Sequence, residues 1–160
     1  MPSWLPWAPL IAGILHLTEE FVFPGGFPTW YRAYRTDASS VTTRFLVIVN
    51  VVLVIACLNI VQLGHTMPGA IAWLTIMALL SSNGIWHLWA SVKSHTYSPG
   101  VITGIAIYVP LALFGFSLAI RSGAVPWVTA LIAAAIGGSY HFWSALYHGS
   151  LKAFSRKHIS

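Results

Sequence analysis

Two adjacent glutamates, Glu19 and Glu20, follow His16 at spacings of three and four residues inside an apolar stretch, and the whole chain has only three acidic residues. Placing a carboxylate near the middle of a membrane helix is unfavourable by roughly 2.5 kcal/mol or more, so such a pair marks a site and not a surface. The i, i+3 and i, i+4 offsets put all three side chains on one broad helix face. A later apolar run offers Asn83 and His87, again four apart, followed by His95 and Tyr97 in a loop. The last run offers His141 and His148, seven apart. These share a face but stand about 10 Å apart along a helix axis, too far to serve one ion without a break.

Five histidines and two carboxylates form the nitrogen and oxygen donor set that suits zinc or non-haem iron. His16, Glu19, Glu20, His87, His95, His141 and His148 are therefore the expected metal ligands. Seven donors exceed what one tetrahedral ion needs, so two divalent ions bridged by Glu19 or Glu20 are expected, about 3.5–4 Å apart as in other two-metal sites. Glu19 and Glu20 are also the expected catalytic carboxylates. Asn83 would orient a ligating histidine, and Tyr97 would donate a hydrogen bond to a developing oxyanion. His65 and His158 fall in an outer loop and in the tail and are left out. Trp86, Trp89, Tyr140 and Trp143 interleave with the polar groups and read first as packing, although an aromatic wall would also suit an apolar substrate.

The elements that must position these groups follow from composition. The chain of 160 residues is 57% apolar and 7% charged, far below the charge content of a soluble domain. Apolar stretches recur at Ser3–Phe23, Phe45–Leu63, Gly69–Val92, Gly100–Ile120 and Val125–Tyr147, each near the ~20 residues that cross a bilayer. The expected fold is an all-α integral membrane bundle of about five transmembrane helices in a single domain. Pro6 and Pro9 interrupt the first stretch, and with no Lys or Arg before Arg32 it reads as retained and not as a cleaved signal.

The net charge of +5 is spread over short loops and the tail, which argues against nucleic acid as a partner. Arg32, Arg35, Arg44, Lys93, Lys152, Arg156 and Lys157 fall on one side and Arg121 alone on the other, so the N-terminus should face out and the C-terminus into the cytoplasm. Every candidate ligand then converges on the cytoplasmic end of the bundle, in the cell (inner) membrane. Loop one carries Pro24-Gly-Gly-Phe-Pro and is not expected to be a continuous helix, and Trp30, Tyr31 and Tyr34 within it suit the headgroup level. Pro110 should kink the fourth helix, while Gly100, Gly104 and the small residues from Ala130 to Gly138 should let helices approach closely. Cys57 is alone and reads as a core side chain.

His16-Leu-Thr-Glu-Glu20, Asn83-Gly-Ile-Trp-His87 and Tyr97-Ser-Pro-Gly100 resemble, in order, the HxxEE, NxxxH and YxPG motifs of the HXXEE-domain family. The resemblance spans about Ala8 to Val101. It implies a small membrane protein of a family without an assigned function, suspected to be enzymatic, and it supports His16, Glu19, Glu20, Asn83, His87, Tyr97, Pro99 and Gly100 as site positions. The expected function is that of a membrane metalloenzyme acting on a lipid-like or apolar substrate. Iron-dependent oxidation with a redox partner is favoured, and zinc-dependent hydrolysis with a glutamate as general base is the alternative. A proton or metal-ion carrier is a third reading, weakened because only Asn59, Gln62 and His65 are polar in the outer half.

Overall fold

A computed structural model describes residues 2–22, 26–34, 42–144 and 146. Among these the regular elements are all helical. A 3-10 turn at Leu5–Trp7 leads into α1 (Ala8–Val22), followed by α2 (Gly26–Tyr34), α3 (Thr43–Leu63), α4 (Met67–Ser94), α5 (Val101–Arg121) and α6 (Trp127–Gly138). By length and composition α3, α4 and α5 are apolar enough to cross a membrane. The first and last apolar runs form shorter helices. Pro6 opens the 3-10 turn before α1, and α6 stops at Gly138 with a turn at Ser139 before helix resumes over 140–144.

Local chemistry sets the boundaries. Thr42 and Thr66 cap α3 and α4 by accepting hydrogen bonds from the Phe45 and Gly69 amides, as N-cap hydroxyls do. Gly64 ends α3 at φ 57°, and His95 ends α4 in the left-handed region at φ 53°. In α5 a wide π turn spans Gly104–Tyr108 just before Pro110. The expected disturbance at that proline thus takes the form of a local widening, which accommodates the ring and its missing N–H.

α4 is the central element and packs extensively on both α5 and α6. Its core is built from Trp73, Leu74, Met77 and Leu80 with Ile60, Ala112, Ala130 and Ala133. Small residues allow the contacts: a Cβ on Gly84 would lie 2.7 Å from the Gly104 backbone, and one on Gly137 would lie 2.1 Å from the Thr75 carbonyl oxygen. The outer surfaces carry Ile14, Val51, Val52, Ile55, Leu113, Leu131 and Ile136 exposed, a distribution that matches lipid and not water.

Loop one contains more helix than its Pro/Gly content suggested. Gly26 at φ 64° breaks the chain after α1, and Gly26–Tyr34 then winds into α2 with Pro28 in its first turn, where proline is tolerated.

Candidate functional site

Two bundle ends have different characters. At one end the Trp73 indole donates to the Leu5 carbonyl at 2.8 Å, with Gly64 and His65 nearby. At the other, the end of α1, the end of α4 and the turn 95–103 meet around His16, Glu19, Glu20 and His87, all buried. His65 is therefore at the opposite end from the polar cluster.

Neighbouring residues on a helix point about 100° apart, and the two glutamates accordingly have different surroundings. Glu19 faces the turn between α4 and α5. Its Oε1 accepts from the Tyr97 hydroxyl at 2.6 Å, the Gly100 amide at 2.9 Å and the Ile102 amide at 3.0 Å. Its Oε2 accepts from the Thr103 amide at 2.7 Å and the Thr103 hydroxyl at 2.5 Å. Five donors occupy this carboxylate at the N-terminus of a helix, where negative charge is favoured. Glu19 thus pins the turn and has little lone-pair capacity left for an ion. Partial burial and the bond to Glu19 raise the Tyr97 phenol above its usual range, which keeps it a donor.

Glu20 turns to the histidines. Its Oε1 lies 3.4 Å from His16 Nε2 and 3.1 Å from His87 Nε2. The opposite ring nitrogens are both tied to hydroxyls, His16 Nδ1 to Thr103 Oγ1 at 2.8 Å and His87 Nδ1 to Ser98 Oγ at 2.9 Å. Because the Thr103 proton is directed to Glu19, its oxygen must accept from His16 Nδ1–H. That fixes the tautomer and leaves the His16 Nε2 lone pair facing Glu20. Asn83 Nδ2–H donates to that lone pair at 3.1 Å, a bond that an ion on this nitrogen would replace. His87 is fully buried, yet its Nε2 makes no aligned hydrogen bond among the described residues despite its closeness to Glu20. Two imidazole nitrogens and one carboxylate oxygen therefore converge without satisfying one another.

The donor set could hold a metal ion, with two of its three donor separations matching a shared ion. The three donor atoms lie within 4.8 Å of one another, and this is the one such group among the described residues. Donors bound at 2.0–2.1 Å to a common ion are separated by about 2.9–3.4 Å across tetrahedral or octahedral angles. The two nitrogen–oxygen distances of 3.1 and 3.4 Å fall in that interval.

The space around the group is shaped by Gly100, a position the family resemblance supported, and by residues that carried no such signal. Gly100 sits at φ +102°, and a Cβ there would lie 2.8 Å from His16 Cε1 and 3.0 Å from His87 Cε1. Phe27 of α2 packs edge-on against His87 with ring centroids 5.1 Å apart, and the Trp30 indole donates to Thr96 at 3.0 Å. α2 therefore covers the site. Thr103, Ser98, Phe27 and Tyr108 carried no metal-ligand signature. Ser98 and Thr103 flank Gly100, however, and proximity to the Tyr-Ser-Pro-Gly motif was the available hint.

His141 is near but outside the three-residue group, its ring stacked on Trp86 at 5.7 Å. His95 is exposed at the end of α4 and is likewise not in the group. His148, Arg35 and the tail with Lys152, Arg156, Lys157 and His158 lie outside the described residues. Trp86 and Tyr140 line a cavity of about 490 Å³ that also reaches His16, Glu20 and Asn83. Trp89 and Trp143 are largely exposed.

A family described as "Protein of unknown function with HXXEE motif" matches residues 7–115. The chain belongs to the HXXEE family. The matched segment contains His16, Glu19, Glu20, Asn83, His87 and the turn through Thr103, and so every residue of the convergent group. No curated protein and no solved structure matches the chain.

Proposed function

We propose that the chain is a membrane-embedded, metal-dependent enzyme in which His16, His87 and Glu20 hold one divalent ion beside a chamber for an apolar substrate. The observation that carries this reading is the buried convergence of His16 Nε2, His87 Nε2 and Glu20 Oε1, with the first two oriented through their far nitrogens. Two histidines and one carboxylate form the facial donor set of non-haem iron oxygenases, and iron-dependent oxidation with molecular oxygen and an external electron donor is the preferred reaction class. The same His/His/Glu set serves catalytic zinc, so zinc-dependent hydrolysis is the second reading. When bound, the ion would supply a Lewis acid and, if it is iron, a redox centre.

The chain's own groups do the rest. Thr103 and Ser98 hold the rings in register, Glu19 fixes Thr103, and α2 with Phe27 keeps water from the buried side. Gathering of donors for a single ion favours one metal over two, because Glu19 is already saturated. Five crossings, with the N-terminus out and the site at the cytoplasmic end, remain the preferred topology. Arg32, Arg44 and Lys93 lie at the site's end of their helices and Arg121 at the other, which supports that orientation.

Elemental analysis of the detergent-purified chain tests the reading. One iron or zinc per chain is expected in the wild type and almost none in Glu20→Ala or His87→Ala, iron favouring oxidation and zinc hydrolysis. Metal-free wild-type protein after handling without chelators would sink it.

A further inference from the structure

The cavity beside the His/Glu group has a chemical character of its own. Its volume of about 490 Å³ lies within the range of small-molecule sites. Leu46, Val49, Leu53, Ile76 and Leu79 make much of its wall, and among the described residues no Lys or Arg lines it and Glu20 is its one carboxylate. A ligand anion would meet Glu20 with no Lys or Arg among the described lining residues to offset it, and a ligand cation would compete for a carboxylate already facing two histidines. The lining therefore selects an uncharged molecule that is mostly hydrocarbon.

Two polar atoms in this lining lack a partner among the described residues. Tyr108 is 0% exposed and its hydroxyl makes no hydrogen bond, and His141 Nε2 is buried in the same condition. Both lie beside the group. The Tyr108 ring lies 4.6 Å from that of His16, and His141 stacks on Trp86, which meets His87 edge-on at 5.2 Å. Burying such groups unpaired is unfavourable unless something in the cavity pairs with them.

We propose that Tyr108 and His141 are specificity-determining residues that hydrogen-bond the single uncharged oxygen, hydroxyl or carbonyl, at one end of a long-chain apolar substrate. The inference rests on the reading of the His/Glu group as the reactive centre, since the two residues would hold the oxygen-bearing end next to it.

The test uses the full chain in nanodiscs and 10-bromodecan-1-ol, whose bromine quenches tryptophan fluorescence at short range; a Trp86→Phe variant identifies the signal from the cavity. Decan-1-ol, decan-2-one, decane and decanoate serve as competitors. The alcohol and ketone should displace the probe at concentrations about tenfold below those needed for decane or decanoate, as one or two buried hydrogen bonds dictate. Tyr108→Phe and His141→Phe should each bring the alcohol-to-decane ratio toward one while decane binding holds, a change that a packing defect would not produce. Decane or decanoate competing as well as the alcohol in the wild type would overturn the proposal, whatever the variants do. So would an unchanged ratio in both variants. Metal analysis of the same samples separates the two readings: bound metal without alcohol preference overturns this inference alone, whereas alcohol preference in a chain that takes up no metal upholds the cavity assignment and removes the metal centre.

Discussion

Glu19 and Glu20 are the same residue type at consecutive positions, and the structure gives them different work. The sequence made the pair and its His16 neighbour conspicuous, because buried carboxylates need a reason. It did not separate their roles, because the donors that saturate Glu19 are mostly backbone amides of a turn some eighty residues away. The direction of those amides depends on Gly100 at φ +102°, which periodicity does not encode. Two predictions belong here. Thr103→Val removes the link between Glu19 and His16 and should lower metal affinity about 10–100-fold, as loss of a ligand's hydrogen-bond partner does; Thr103→Ser should restore it, and competition with a chromophoric chelator reads both. Gly100→Ala would push a methyl group into both imidazoles and strain the backbone, so it should abolish metal uptake even where the helices still form by circular dichroism.

The helices were legible at the level of elements because their apolar runs are long and their caps conventional. Three of the five runs form helices with ends within two residues of the expected limits. The departures have local causes: prolines and a 3-10 turn shorten the first, a turn at Ser139 interrupts the last, and the Pro110 disturbance becomes a π turn. α2 was hidden because glycine and proline were read as breakers when they in fact start it. The close approach of α4 and α5 at Gly84 and Gly104 determines how near His87 comes to the 97–103 turn. Gly84→Ala should therefore destabilise the fold by about 1–3 kcal/mol, the usual consequence of overpacking, measured as a lower midpoint of thermal unfolding in detergent. His95→Gly, at an exposed position favouring glycine and outside the group of three, should leave metal content unchanged.

At the scale of the whole molecule, composition spoke first and most clearly. A 7% charged chain with apolar residues on its outer faces and three helices long and apolar enough to cross a membrane suits a bilayer as its solvent. The gathering of His16, Glu20 and His87 at one end was also foreseeable, since helix direction assigns each residue a depth. Which donors converge was not, because that depends on side-chain directions between helices and not on depth. Orientation is testable by labelling: in a Cys57→Ala background, Ser122→Cys should react with a membrane-impermeant maleimide in intact cells and Lys93→Cys should not. The reverse pattern would invert the topology.

The central claim, that one ion is held by two imidazoles and one carboxylate, is tested most directly by X-ray absorption at the edge of the metal found in the purified chain. The spectrum should show multiple scattering from two imidazole rings and nitrogen or oxygen neighbours at about 2.0–2.2 Å, with the imidazole contribution halved in whatever metal His87→Ala retains. A metal–metal vector at about 3.5–4 Å, sulfur in the first coordination sphere, or a spectrum unchanged by His87→Ala would contradict it.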